Sequence, residues 1–236
     1  MNWIDQRILT KFYNANCLLT QGDLDDNFPK HPKRIKVVPN PITSRFPDIN
    51  PRQTERNNTV LFVGRLTYQK NPEELIEIWH AIKSDGWKLR IIGTGPLEQK
   101  CKESVRDKAL DGSIEFAGWS NNVGAELRRA KIFVATSRYE GFPLALIEAA
   151  ANGVVPVSYT TPYGPGDLIS HNQDGILVPY GDRNTFVHEL KILMDDSSRL
   201  QQMSDAAFKK ARQYDISVIA DRWAGIYESL MQKNRH

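Results

Sequence analysis

Two cations five residues apart are the first pair that could act together. They lie in Gly64-Arg65-Leu66-Thr67-Tyr68-Gln69-Lys70, directly after an apolar run. On one loop they can converge on a diphosphate, Arg65 as a planar fork and Lys70 as a point charge. Two solvated surface charges are the plainer alternative. A second stretch, Gly93-Thr94-Gly95-Pro96, begins like a dinucleotide fingerprint, but Glu98 stands where the third glycine belongs. An NAD-type cofactor is therefore disfavoured, and a tight turn that lets backbone approach a ligand, or merely lets the chain reverse, fits better.

The third stretch says most. It runs Ser137-Arg138-Tyr139-Glu140-Gly141-Phe142-Pro143-Leu144-Ala145-Leu146-Ile147-Glu148. A strand ends, a loop turns at Glu140 and Gly141, and a helix is expected to start near Pro143. Free N–H groups at a helix start, reinforced by the helix dipole, suit a phosphate. Pro143 has no N–H, so the expected donors are Gly141, Phe142 and Leu144. Glu148, about one turn on, can accept hydrogen bonds from the vicinal hydroxyls of a ribose. Glu140 is placed for hydroxyls further along the same ligand. A capping acid and a helix-surface glutamate are the bland readings of these two residues.

A fourth stretch, Tyr163-Gly164-Pro165-Gly166-Asp167, explains itself as a turn, and a ligand role for it stays open. Asp23-Leu24-Asp25 matches an Asp-x-Asp metal pattern, yet acids also suit the first turn of the short helix expected there. No metal site is assigned. None of His31, His80, His171, His188 or His236 is given a role.

Elements must place these residues. Short apolar runs at Val60–Val63, Leu89–Ile92, Ile114–Ala117, Ile132–Thr136, Val154–Ser158 and Ile176–Pro179 read as strands covered on both faces. Helical patterns separate them. Leu75, Ile78, Trp79 and Ile82 recur at the helical period, with Asn71 as the expected cap, Pro72 in the first position and Glu74 completing a capping box. Two amphipathic patterns, 197–214 and 216–232, close the chain. Such alternation predicts an α/β, doubly wound parallel Rossmann-like sheet of about six strands with helices on both faces, ligands gathering at the carboxyl ends of the strands.

The N-terminal part differs. Trp3, Ile4, Ile8, Phe12 and Tyr13 fall on one helical face, and Cys17–Thr20 and Ile35–Val38 read as short strands. One helix and two strands cannot bury an adequate core alone, so residues 1–45 must lean on something else. Residues 46–58 read as a linker, 59–215 as the main domain and 216–236 as a terminal helix.

Composition excludes several classes. The 236 residues carry 31 Lys plus Arg against 28 Asp plus Glu, a net charge of +3 that does not call for nucleic acid. No apolar run has the ~20 residues of a membrane helix. The first five residues include an acid and no basic-then-apolar leader, and two cysteines make neither a disulfide framework nor a thiolate zinc site. A cytoplasmic location is expected. The basic run from Lys30 to Lys36 admits peripheral contact with anionic lipid at the inner membrane face, with a solvated loop as the alternative.

Together these motifs resemble the C-terminal, nucleotide-sugar-binding domain of GT-B glycosyltransferases of family 4 (group 1). The resemblance runs from about Lys36 to Tyr227. It rests on the Gly-Arg…Lys loop, Gly93-Thr94-Gly95-Pro96, Phe116-Ala117-Gly118, and Glu140-Gly141-Phe142-Pro143 with a second glutamate at 148. It implies a retaining, metal-independent hexosyl transfer from a nucleoside-diphosphate sugar, a UDP-sugar before a GDP-sugar, to a glycan or lipid-linked acceptor in polysaccharide synthesis. It implies catalytic roles for Arg65, Lys70 and Glu140. Gly64, Gly93, Gly95, Gly141, Phe142, Pro143, Leu144 and Glu148 would bind the donor, Glu148 at the ribose and Glu140 at the hexose. The base would lie near Gly118–Asn122.

In such enzymes an acceptor-binding half precedes this domain. Residues 1–45 resemble only its end, and the last helix, with Trp223, Ile226, Tyr227 and Leu230, resembles the segment that crosses back to it. The expectation is a donor-binding half that does not turn over without an acceptor domain or a partner chain. A noncatalytic sugar-nucleotide module, a subunit of a two-chain transferase and a functionless scaffold are the alternatives.

Overall fold

The computed structural model describes residues 15–28, 35–42, 46–82 and 86–233. The helix expected at Trp3–Tyr13 and most of the Lys30–Lys36 cluster lie outside the described residues. A six-stranded, wholly parallel sheet forms the body. Its strands are β3 (Thr59–Val63), β4 (Lys88–Ile92), β5 (Ile114–Gly118), β6 (Ile132–Ala135), β7 (Val155–Tyr159) and β8 (Ile176–Val178), in the order β5-β4-β3-β6-β7-β8. The chain starts in the middle at β3, steps outward to β5, then returns to β6 beside β3 and steps out the other way. That reversal places a crevice between the carboxyl ends of β3 and β6.

The continuous apolar runs are explained by burial on both faces. Val60 and Phe62 of β3 join one core cluster, while Leu61 between them joins the other. Ile132 and Val134 of β6 face the first cluster, and Phe133 and Ala135 the second. Alternate residues of a strand point to opposite faces, so a sheet clad on both sides shows no polar alternation. Helices α2 (Pro72–Ile82), α3 (Glu98–Asp107) and α7 (Arg183–Asp195) cover the first face; α4 (Val123–Arg129) and α5 (Leu144–Ala151) cover the second. Each fully buried Leu, Ile, Val or Phe contributes about 1.5–3 kcal/mol.

Pro72 is the first residue of α2, as its ring geometry favours. The capping box is not formed. Asn71 has φ 52°, and its Oδ1 accepts from Arg138 Nη2 at 3.0 Å. Glu74 instead accepts from Arg183 Nε and from the Tyr159 hydroxyl, each at 3.0 Å. Partners distant in sequence outbid the local cap. Helix α5 begins at Leu144, with Pro143 in the capping position.

Upstream, β1 (Asn16–Leu18) and β2 (Ile35–Val37) pair in parallel, with α1 (Gln21–Asn27) between them in sequence. This unit is tied to the short helix α6 (Pro165–Leu168) and the loop before it. Asp167 Oδ1 accepts from the N–H groups of Gln21 and Gly22 at 2.8 and 3.3 Å, and Asn27 Nδ2 donates to the Tyr163 hydroxyl at 2.9 Å. Residues 46–58 are held against the domain. Phe46 packs on Phe208 with ring centroids 5.4 Å apart, and Arg56 donates to the carbonyls of Ala130 and Asn152.

Helix α8 (Ser197–Ala211) packs on α5 and β7, and a turn of 3₁₀ helix (Arg212–Tyr214) leads into α9 (Ile216–Lys233). Near the start of α9 Ile219 is buried, and Trp223, Ile226 and Leu230 are half-buried. Ile216, Tyr227 and Met231 are exposed, and Trp223 stacks on Tyr227. No helix of the described residues is long and apolar enough to cross a membrane.

Candidate active site

The mouth of the β3/β6 crevice is built by close backbone contact. Leu66 N–H donates to the Thr94 carbonyl at 2.9 Å, Gly64 N–H to Ile92 at 3.0 Å, and Gly93 N–H to Gly118 at 2.7 Å. These bonds laminate the loops after β3, β4 and β5. Gly93 has φ 129°, and a Cβ there would overlap the Gly64 carbonyl oxygen; a Cβ on Gly95 would stand 2.5 Å from the Leu66 carbonyl oxygen. Both positions therefore require glycine, for packing between loops. The turn reading of Gly93-Thr94-Gly95-Pro96 follows from that packing.

On the other side of the crevice, the loop after β6 is zipped to the loop after β3. Arg138 N–H donates to the Gln69 carbonyl at 2.8 Å, Gln69 Nε2 to the Tyr139 carbonyl at 3.2 Å, and Thr136 Oγ1 to the Asn71 carbonyl at 3.0 Å. These bonds carry Lys70 to Glu140: Nζ lies 2.5 Å from Oε1, with the lysine side chain 27% and the glutamate 8% exposed. Lys70 thus arrives already paired. Arg65 is exposed and has no ion-pair partner among the described residues.

The N–H groups of Gly141, Phe142 and Leu144 have no acceptor among the described residues, so donors stand free where α5 begins. Phe142 is fixed by an edge contact with Tyr214, centroids 6.0 Å apart. Glu148 is half-buried on α5, one turn beyond Leu144. Gly164, with φ 95°, closes over this loop: a Cβ there would stand 2.6 Å from Pro143 Cδ and 3.1 Å from the Gly141 carbonyl oxygen. The Tyr163–Asp167 stretch therefore buttresses the Glu140–Pro143 loop from one side and holds α1 from the other. Asp23 accepts from Asn27 and Asp25 from Gln21, within α1.

Sequence reading gave no role to Thr136, Gln69 or Arg138, and gave Asn71 only that of a helix cap; the four lock the two loops together. Isolated polar residues carry no period or spacing to flag them. It named Asp167 only within a turn whose ligand role stayed open, and not as the acceptor for backbone 145 and 146 residues away. Chemically, the crevice offers Arg65, with no acid partner among the described residues, Lys70, shared with a carboxylate, and amides with no acceptor among the described residues. That combination suits a polyhydroxylated anion.

Residues 46–210 match the family model for glycosyl transferases group 1. The chain is 32% identical over 183 residues to the amylovoran biosynthesis glycosyltransferase AmsD of Erwinia amylovora, covering 78% of this chain and 51% of AmsD. It is 31% identical over 221 residues to a Campylobacter jejuni alpha-1,4-N-acetyl-D-galactosaminyltransferase whose name specifies an undecaprenol-diphosphate-linked glycan, covering 92% of this chain and 61% of that one. Among solved structures it resembles a variant of S. aureus TarM in complex with fondaparinux, alpha-GlcNAc-glycerol and UDP. The TM-score is 0.83 at 22% identity, over 94% of this chain and 46% of TarM, a likeness of fold. The chain spans about half the length of these proteins.

Proposed function

The chain belongs to the group 1 glycosyltransferases, and from that premise we propose that it is the donor-binding half of a retaining, metal-independent transferase acting on a nucleoside-diphosphate sugar. The observation that carries this reading is the meeting of Lys70, Glu140 and the free amides of Gly141, Phe142 and Leu144 at the β3/β6 switch point.

The difficult step of glycosyl transfer is departure of a diphosphate from a sugar that turns oxocarbenium-like. Positive charge fixed at the leaving group lowers that barrier. In this reading Arg65 grips one phosphate and Lys70 the other, while the amides at the start of α5 take the remaining oxygens. Glu140 holds hydroxyls of the hexose, and Glu148 those of the ribose. Gly64 lines the site, Gly93 and Gly95 let the loops after β3 and β4 pack closely enough to shape it, and Trp119 and its neighbours after β5 flank the base. Engagement of the diphosphate by Lys70 loosens its pairing with Glu140 and frees that carboxylate for the sugar.

The acceptor, a glycan or lipid-linked glycan of surface polysaccharide synthesis, would be held by another half of the protein or a partner chain. The exposed Ile216, Tyr227 and Met231 of α9 suit docking of that half. Turnover by these residues alone is not expected, because positioning of the acceptor is absent from the donor half. A sugar-nucleotide-binding subunit of a two-chain transferase is the second reading, favoured by the same exposed side chains. Titration with UDP, GDP and their sugars tests the proposal. Saturable binding that Glu148→Ala abolishes is expected, with UDP preferred over GDP. Absence of binding to any of them would overturn it.

A further inference from the structure

Arg138 stands two residues before Glu140 and touches the loop after β3 on both sides of Lys70. Its backbone N–H donates to the Gln69 carbonyl at 2.8 Å, its Nη2 to Asn71 Oδ1 at 3.0 Å, and its guanidinium lies 4.3 Å from the Tyr68 ring centre. Lys70 sits between these contacts. Nη1 reaches a third loop, donating to the Tyr180 hydroxyl at 3.0 Å. The face and the fork of the side chain are used at once, which a planar guanidinium allows and an ammonium does not. One donor is sacrificed: Arg138 Nε is buried with no acceptor among the described residues. A buried donor persists in that state where the other contacts of the side chain outweigh it.

The backbone that Arg138 grips is itself in an uncommon state. Asn71 follows Lys70 directly, is 4% exposed and has φ 52°. Residues with a Cβ rarely adopt a left-handed backbone, and asparagine bears it better than most. Three contacts hold Asn71 there. Its N–H donates to the Thr67 carbonyl at 3.0 Å, its carbonyl accepts from Thr136 Oγ1 at 3.0 Å, and its Oδ1 accepts from Arg138. This turn sets the direction in which the Lys70 stem leaves the backbone, and a flexible four-carbon stem magnifies any displacement at its root. Arg65, at the other end of the loop, is anchored separately. Its neighbour Leu66 donates its N–H to the Thr94 carbonyl at 2.9 Å and accepts from the Leu97 N–H at 3.0 Å.

We propose that Arg138 is a positioning residue for the donor grip: it fixes the turn at Asn71 so that the Lys70 ammonium meets Glu140 in the empty crevice and the diphosphate in the filled one. The second half of that assignment rests on the reading of the crevice as a donor site; the first does not. Loosening this clip differs from removing Glu140. The carboxylate still competes for the ammonium while the anchor of Lys70 is lost, so affinity for a diphosphate falls.

The test uses the full 236-residue chain and two readouts. Without nucleotide, the ammonium protons of Lys70, sheltered by Glu140, should exchange slowly enough to give a proton–nitrogen NMR signal. Arg138→Lys keeps the positive charge but removes the fork, and should speed that exchange about fivefold or more. Tyr68→Ala, at a 65% exposed position that spares the fold, should speed it about threefold. Calorimetric titration with UDP should show binding about five- to tenfold weaker in Arg138→Lys, but less than about twofold further loss when the same change is made in Lys70→Ala. A merely structural role would give the same loss in both backgrounds, and that result would overturn the proposal. So would Lys70 exchange that is fast in the unaltered chain, or unmoved by both variants. If the unaltered chain binds no UDP while Lys70 exchange responds as expected, the donor reading fails and the clip on Lys70 stands.

Discussion

Lys70 Nζ lies 2.5 Å from Glu140 Oε1, joining the loop after β3 to the loop after β6 across the mouth of the crevice. The pair is largely sheltered from solvent, so removing either partner leaves a charge without compensation. Glu140→Gln should release Lys70 for phosphate and tighten UDP binding by about five- to tenfold, while removing the extra affinity that a hexose confers. Lys70→Ala should weaken UDP and also destabilise the fold by about 1–3 kcal/mol, since the Glu140 carboxylate is then buried alone. Calorimetric titration of both variants with UDP and a UDP-sugar separates these effects. Equal changes for UDP and its sugar in Glu140→Gln would argue against a hexose role for that residue.

Gly93 and Gly95 are held by the backbone of the neighbouring loop. Gly93→Ala should lower stability by about 3 kcal/mol or more, because the residue has a left-handed φ and its Cβ meets the Gly64 carbonyl. Gly112→Ala, where a Cβ would meet nothing within 4 Å, is the matched control and should be close to neutral. Thermal denaturation of the two variants in parallel checks the contrast.

Asp167 ties the β1–α1–β2 unit to the loop that buttresses Pro143. Asp167→Ala should speed amide exchange at Gln21 and Gly22, whose N–H groups lose their acceptor, at a cost of about 1–3 kcal/mol to local opening. Asp167→Asn keeps an oxygen in place and should restore much of the protection. Hydrogen exchange that is unchanged in the alanine variant would show that the unit is held by other contacts.

Acid should act through Glu74. Its hydrogen bonds from Arg183, offset in part by burial and aided by the Tyr159 hydroxyl, hold its carboxyl below the usual range. A carboxyl with a depressed folded value stabilises the protein above its unfolded value and loses that contribution as pH falls through the folded one. Stability should therefore decline below about pH 4.5, and less steeply in Glu74→Gln. Urea denaturation midpoints measured across pH 3–6 for both proteins check this.

What sequence alone determined was the layout that repeats a local rule. Six largely apolar runs became six strands, since the two cores demand apolar side chains on both faces of the central strands; toward the β4/β5 edge one face carries Arg90 and Glu115 instead. Pro72 began its helix, because a fixed φ and a missing N–H are properties of one residue. Expected partners failed where a remote group competed. Asn71 and Glu74 have the spacing of a capping box, but Arg138, 67 residues on, and Arg183, 109 residues on, claimed their side chains. Tertiary structure also decided that Lys70 meets Glu140 and that Asp167 holds α1. No window of sequence contains those relationships, because they depend on which strands become neighbours when the chain reverses direction between β5 and β6.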